Sequence, residues 1–241
     1  MSGPGDPRAE LGARDDSRRL RLRAFLGLAN LQVAIALLLF LSAGTVRFWQ
    51  AWAYWGVFSA AVLLITLYLL RHDPGLVGRR MHAGPVAERE PSQRLIQGLA
   101  GLLFCAMFVV PGIERRFRPS ALPPLAALGA DVLVAAGFAI VHFVFRENGH
   151  ASSVIEVEPG QRVVSTGPYA LVRHPMYAGA MLMILATPLA LGSIWALACA
   201  LPLCGAVVAR LLDEERYLAA NLQGYEEYLR KVRCRLIPRV W

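Results

Sequence analysis

Apolar and polar positions along this chain are sorted into long blocks, not into the short periods of a soluble helix or strand. Apolar blocks cover residues 25–45, 52–70, 95–112 and 122–145, and a fifth covers 177–209. A helix needs about 20 apolar residues to cross a hydrocarbon core about 30 Å thick, so each of the first four blocks predicts a membrane span. Arg, Pro and Gly collect in the gaps. Phe48 and Trp49 lie in the first gap, where amphipathic rings favour the membrane interface. The second gap, 71–94, reads as a charged loop broken by Pro74, Pro85 and Pro91.

The fifth block needs arithmetic. As one helix, residues 177–209 would run about 50 Å, too long for a core of about 30 Å. Pro188 and the Gly192-Ser193 pair divide the block near its middle. The pattern therefore predicts a helical hairpin whose arms, each about 22 Å, enter and leave on the same face. That geometry returns Arg210 and Glu214 to the side where Arg173 and His174 began. Over about 210–230 the pattern changes to an amphipathic helix. Leu211, Leu218, Leu222, Tyr225 and Leu229 share one face, and Arg210, Glu214, Tyr217 and Asn221 make a second, polar line. Gly224 weakens that helix near its end.

The expected fold is all-α: a polytopic membrane helical bundle of four spans plus a C-terminal helical hairpin, with a cytosolic amphipathic helix. Its segments are 1–24, a disordered basic cytosolic tail; 25–145, the four spans; 146–209, a polar loop and the hairpin; and 210–241, the cytosolic helix and tail.

Composition agrees, since hydrophobic residues make up 56% of the chain and charged residues only 17%. A net charge of +8 raises the question of nucleic acid. With the N-terminus inside, however, only Arg47, Arg115, Arg116 and Arg118 of the 25 Lys and Arg fall outside. The positive-inside rule accounts for such a bias, so charge reports topology and no nucleic-acid partner is expected. Arg115, Arg116 and Arg118 are the misfit. The first apolar block is too long for a secretory signal. The four cysteines form no Cys-x-x-Cys pair and no zinc-ligand spacing, so no metal site is expected.

Candidate chemistry concentrates at 161–179, a polar, turn-rich stretch between two apolar blocks. Gly167-Pro168 signals a turn. Pro175 restricts His174 to extended backbone and fits the first turn of a helix. Arg173 and His174 are thereby held just outside a membrane helix. The order Gly167-Pro168-Tyr169, then Arg173-His174-Pro175-Met176-Tyr177-Ala178-Gly179, then a hydrophobic hairpin and Asp213-Glu214-Glu215 resembles the membrane methyltransferases related to isoprenylcysteine carboxyl methyltransferase and the phospholipid methyltransferases. The resemblance is specific over about 146–241; residues 1–145 match only as a set of spans.

The resemblance implies S-adenosyl-L-methionine as cofactor. It places Val163, Val164, Tyr169, Arg173, His174, Pro175, Met176 and Tyr177 on the cofactor loop, with Gln161 and Arg162 beside them. It makes Glu214 the cofactor-contacting acid and Arg210 the residue that holds an acceptor carboxylate; Arg210, Glu214 and His174 are the catalytic candidates. The residue types suit these roles. A Glu accepts hydrogen bonds from an ammonium or ribose, turn amides bind a carboxylate, and Tyr rings cover a cation. No Gly-x-Gly-x-x-Gly and no βα alternation is present, which excludes the soluble nucleotide-binding fold.

Methyl transfer is an in-line displacement at carbon. A carboxylate acceptor is already nucleophilic at pH 7, whereas an amine or thiol must first lose a proton to a base such as His174 or Glu214. Carboxyl O-methylation of a lipophilic, prenylcysteine-like acceptor arriving from the bilayer is the first expectation, with the N-terminus and active site cytoplasmic. N-methylation of a phospholipid amine headgroup and S-methylation of a small thiol are the alternatives. A non-catalytic membrane protein or transporter is the reading from another class, but transporters usually show repeats and polar residues inside several spans. Plainer readings stand beside each residue. Arg173-His174 and Arg210 also fit interfacial anchors, and Glu214-Glu215 fit first-turn acids favoured by a helix dipole. His142 and Arg146 fit helix-end pairing as well as a site. Glu147-Asn148 stand where relatives often carry Asn and are candidates for the lining. His72, His82 and His150 read as solvated loop residues, and Met176, Met181 and Met183 as packing.

Overall fold

Four helices of the computed structural model are long and apolar enough to cross a membrane, at residues Asp16–Ala43, Trp49–His72, Leu95–Phe117 and Pro124–Glu147. The structure describes residues 7–81, 91–118, 122–150, 157 and 160–241. In chain order the helices are α1 (Pro7–Ala43), α2 (Trp49–His72), α3 (Pro74–Met81), α4 (Pro91–Phe117), α5 (Pro124–Glu147), α6 (Pro175–Ala190), α7 (Leu197–Asn221) and α8 (Tyr225–Lys231), with a 3₁₀ turn at Gly167–Ala170. No strand occurs among the described residues. The protein is an all-helical, multi-pass integral membrane protein, as the apolar blocks predict. Leu37, Leu41, Leu64, Leu102 and Val132 are exposed along the spans, which is where lipid chains, not water, complete the packing.

Three boundaries differ from the sequence expectation. The N-terminal tail, expected to be disordered over 1–24, is helical from Pro7 onward. Proline suits a first helical position, and the Ala, Glu, Leu and Arg that follow are good helix formers. Pro74, expected to break a loop, instead opens α3, where the Asp73 carboxylate accepts the Leu76 amide at 2.9 Å; Pro85 lies outside the described residues. The second hairpin arm and the C-terminal helix are one element, α7, whose 25 residues run about 37 Å. Nothing between Leu203 and Asn221 breaks it, so one rigid rod carries Arg210, Glu214 and Glu215 out of the bilayer. The amphipathic face is present there, with Leu211 and Leu222 buried, and the helix stops before Gly224, whose φ of +84° begins α8.

The hairpin does enter and leave on one face, and its tip reaches the far end of the bundle. Ser193 at the tip hydrogen-bonds Glu114 near the end of α4, and Thr187 meets the Tyr54 hydroxyl at 3.3 Å near the start of α2. The misfit arginines lie at that same end, where Arg115 donates to the Arg47 carbonyl at 3.4 Å. The main core fills the bundle between these levels, with Ile35, Leu39, Tyr54, Met107, Phe108 and Val134 buried.

Helices α5 and α6 approach most closely at two glycines. A Cβ on Gly137 would lie 2.8 Å from the Gly179 carbonyl oxygen and 2.4 Å from Met183 Cγ, and a Cβ on Gly179 would lie 2.8 Å from the Gly137 carbonyl oxygen. Small residues let backbones touch in this way inside membranes. Gly179 is one turn from Pro175, so the contact sets where the start of α6 sits. Gly179→Val is therefore expected to separate the two helices and destabilise the protein by roughly 1–3 kcal/mol. Thermal unfolding in detergent checks this, and an unchanged unfolding temperature would contradict it.

Candidate functional site

At the end of the bundle opposite the hairpin tip, the polar loop folds over the end of α5 and the later turns of α7. Its turn begins at Gly167, whose φ of +55° is a left-handed conformation that suits glycine. A Cβ there would lie 2.9 Å from the Glu147 carboxyl carbon, and the Thr166 hydroxyl donates to that same carboxylate. Tyr169 is then held from both sides. Asn148 donates to its hydroxyl at 2.9 Å, and the Tyr228 hydroxyl donates to its carbonyl at 2.8 Å. Burial pushes the Tyr169 phenol up to about 12, with the Asn148 hydrogen bond opposing and the Glu214 charge adding. This ring is a neutral wall, clamped between α5 and α8.

Arg173 and His174 are tied to a different group. Glu215 Oε1 lies 3.0 Å from an Arg173 Nη and 3.2 Å from His174 Nε2, and Glu215 Oε2 accepts from Arg235 Nε at 2.9 Å. His174 and Glu215 are buried. Burial opposes ionisation of Glu215, but hydrogen bonds from His174 and Arg235 and the charges of His174 and Arg173 outweigh it and hold its carboxyl at about 2. The backbone completes the knot, because the Arg173 and His174 amides donate to the Cys234 and Arg235 carbonyls at 2.9 Å each. A buried charge needs such partners. Together these contacts pin the loop, α7 and the C-terminal tail to one another.

One turn away, a second group forms around Tyr177. Its hydroxyl donates to Glu214, and Arg210 is within hydrogen-bonding reach of the same hydroxyl. Arg210 and Glu214 are four residues apart on α7, so one helix face presents both. Arg80 of α3 closes the group on another side. Its guanidinium stacks 4.7 Å over the Phe145 ring, and one Nη lies 3.9 Å from Met176 Sδ.

Of the residues singled out in the sequence, Tyr177, Met176, Arg210 and Glu214 come together around this second group, and Arg173 and His174 around the first. Pro175 is buried at the start of α6. Val163 packs with Tyr169 against the Leu222, Tyr225 and Tyr228 cluster, and Val164 is half-buried beside it. Gln161 is half-buried and Arg162 exposed. Tyr217 and Asn221, expected on the same polar line as Arg210, are exposed beyond the site. His142 packs edge-on against Tyr68, centroids 4.6 Å apart, and Arg146 lies over Phe143, so each meets an aromatic ring. His72 and His150 are exposed and His82 lies outside the described residues. Asn148 joins the lining through Tyr169. Sequence reasoning missed Arg80, Arg235 and the part played by Glu215. Nothing local marks Arg235, whose partner is 20 residues away, and Arg80 looks like one more positive-inside charge.

Two features fit a polar, charged cofactor at this end. Among the described residues, the Val163 and Val164 backbone amides have no hydrogen-bond partner, and the buried Tyr225 hydroxyl has none either. Tyr225 lies close enough to Glu215 and Glu214 for their charges to push its phenol up, after burial itself. Unmet donors on the loop, with carboxylates near the Tyr225 hydroxyl, suit a molecule carrying both an anionic and a cationic group.

Residues 125–223 match the family model described as phospholipid methyltransferase. The matched segment runs from α5 through the loop and hairpin to the end of α7, and so contains both side-chain groups except Arg80 and Arg235. No curated protein matches the chain.

Proposed function

We propose, from the match of residues 125–223 to the phospholipid methyltransferase family, that this chain transfers methyl groups from S-adenosyl-L-methionine to the head of a lipophilic acceptor. The observation that carries this reading is the Tyr177, Glu214 and Arg210 group, set where a polar loop meets the end of a membrane hairpin. Glu214 and the Val163 and Val164 amides would hold the cofactor's charged amino-acid end, with Tyr169 as a wall. When bound, S-adenosylmethionine supplies an electrophilic methyl carbon. The Glu215 knot makes Arg173 and His174 positioning residues for the loop, while Pro175, Met176 and Tyr177 carry the loop into α6.

Carboxyl O-methylation of a prenylcysteine-like acceptor is the first reading. Arg210 would bind the acceptor carboxylate through its fork of donors and stay charged while doing so. Such an acceptor has no proton to lose, so the site's work is alignment and exclusion of water. N-methylation of a phospholipid amine is the second reading, favoured by the description of the matched family; Glu214 would then take the proton. The 21 Lys and Arg on the loop and tail side argue for a cytoplasmic N-terminus and site.

The test is transfer of labelled methyl by purified protein to lipid extracts, followed by mild alkali. An ester releases the label as methanol, and an N-methyl group keeps it. Arg210→Gln is expected to lower kcat/KM by roughly 10–150-fold, the effect of losing a charge-assisted pair worth about 1.5–3 kcal/mol. Wild-type activity retained in that variant would remove Arg210 from the acceptor site.

A further inference from the structure

Arginines gather at the hairpin-tip end of the bundle, against the bias that accounts for charge in the rest of the chain. Arg115 leans on the Arg47 carbonyl. The Arg116 guanidinium lies over the turn between α1 and α2, 3.6 Å from where a Gly44 Cβ would stand. Arg118 is on the other side of α4, just past the end of the span. Both Arg116 and Arg118 are exposed, and among the described residues no carboxylate lies within ion-pairing distance of either.

Arg118 borders a groove of about 360 Å³ between the end of α4 and the hairpin tip, lined also by Val110, Ile113, Glu114, Phe117 and Trp195. The α4 members recur at spacings of 3, 1, 3 and 1, which is one helix face, so the groove runs along the helix. From Val110 to Arg118 it follows about 12 Å of the axis. Its apolar end points into the bilayer and Arg118 stands at the surface end, with the exposed Trp195 indole beside it. Glu114 lies one turn deeper, and its carboxylate accepts from the Ser193 hydroxyl. Charge at the surface and apolar lining below it match the order of a phospholipid. The volume falls in the range of ligand pockets, about 300–1,000 Å³, and holds part of an acyl chain.

We propose that this groove binds one anionic phospholipid from the leaflet at the hairpin-tip end, with its phosphate on Arg118 and an acyl chain along Val110, Ile113 and Phe117. A guanidinium binds a phosphate through two parallel donors and keeps its charge while doing so. A zwitterionic lipid offers the same phosphate, but its own cation offsets the attraction of Arg118. The seated lipid ties α4 to the hairpin tip. It is distinct from a methyl acceptor, because Arg210 lies about 20 Å along α7 from Leu197 at the tip. The proposal therefore stands independently of the methyltransferase reading.

The experiment is native mass spectrometry of purified protein released from detergent micelles after incubation with equal amounts of dioleoyl phosphatidylglycerol and dioleoyl phosphatidylcholine. The acyl chains are identical, so only the head groups compete. Wild type is expected to retain one phosphatidylglycerol about fivefold over phosphatidylcholine, the preference that one surface arginine provides. Arg118→Gln is expected to reduce the preference to under about twofold, and Arg118→Lys to keep part of it. Arg116→Gln, on the opposite side of α4, is expected to leave the preference in place. Ile113→Trp is expected to fill the groove and lower retention of both lipids together, which contact with the head alone would not do. Both arginines are exposed, so neither substitution touches the core. Equal retention of the two lipids by wild type, an unchanged preference in Arg118→Gln or unchanged retention in Ile113→Trp overturns the proposal. Equal losses in Arg116→Gln and Arg118→Gln overturn it too, and assign the preference to a diffuse positive surface. A protein dimer that retains no lipid also overturns it, since a second copy then covers the groove.

Discussion

Glu214→Ala is expected to weaken S-adenosylmethionine binding by roughly 10–150-fold, the loss of a charged hydrogen bond worth about 1.5–3 kcal/mol. Calorimetry on purified protein in detergent measures it directly. The expectation follows from where the side chain sits. Glu214 is on the α7 face that turns toward the loop, it accepts from Tyr177, and its charge acts on Tyr169 and Tyr225. Tyr177→Phe separates two contributions. If Glu214 itself binds the cofactor, removing the hydroxyl leaves most of the affinity in place. If the hydroxyl is what positions the carboxylate, both variants lose affinity together. Saturable binding unchanged in Glu214→Ala would move the cofactor away from this group. No binding by well-folded wild type would remove the methyltransferase reading and leave the fold.

The second large effect is on stability. Glu215→Ala leaves Arg173, His174 and Arg235 facing one another without their shared carboxylate. Breaking a buried ionic group by deleting one member costs roughly 3–5 kcal/mol. Thermal unfolding should show that loss, and proteolysis should show the C-terminal tail released, because the tail docks on the same loop through Cys234 and Arg235. The pH dependence has a definite sign. Folding lowers the Glu215 carboxyl from its ordinary 4.5 to about 2. The unfolded chain therefore binds this proton first, and the contribution is complete above about pH 4.5 and lost as pH falls toward 2. Glu215→Gln should unfold at a lower temperature than wild type at pH 7, with the difference narrowing between pH 4.5 and the acid limit. A difference that stays constant with pH would mean that the carboxylate's charge is not what holds the knot.

Glu214 and Glu215 are neighbours in sequence with opposite assignments. Adjacent positions on a helix point about 100° apart, so on α7 one faces Tyr177 and the other the buried knot. The acidic pair is visible in the sequence, but which member is bound to structure is not. The same holds for Arg173 and His174, which read as site residues by position and whose side chains fold back on Glu215.

Much was decided by the sequence alone. Block length determined the four spans, because a bilayer core of fixed thickness selects helices of one length. Pro188, Gly192 and the excess length of 177–209 determined the hairpin. The order of residues at 167–179, with the acids at 213–215, marked the loop and helix that carry the two side-chain groups. Contacts between residues far apart in the chain were left to the tertiary structure. Arg80 joins Met176 across 96 positions, and Arg173 meets Arg233 across 60; no local period records either, since both are ordinary cations in segments rich in them. The depth of the hairpin was also settled only in three dimensions, by Ser193 on Glu114 and Thr187 on Tyr54. Periodicity along one helix fixes which face is apolar, while the partner that a charged group finds depends on how the helices pack.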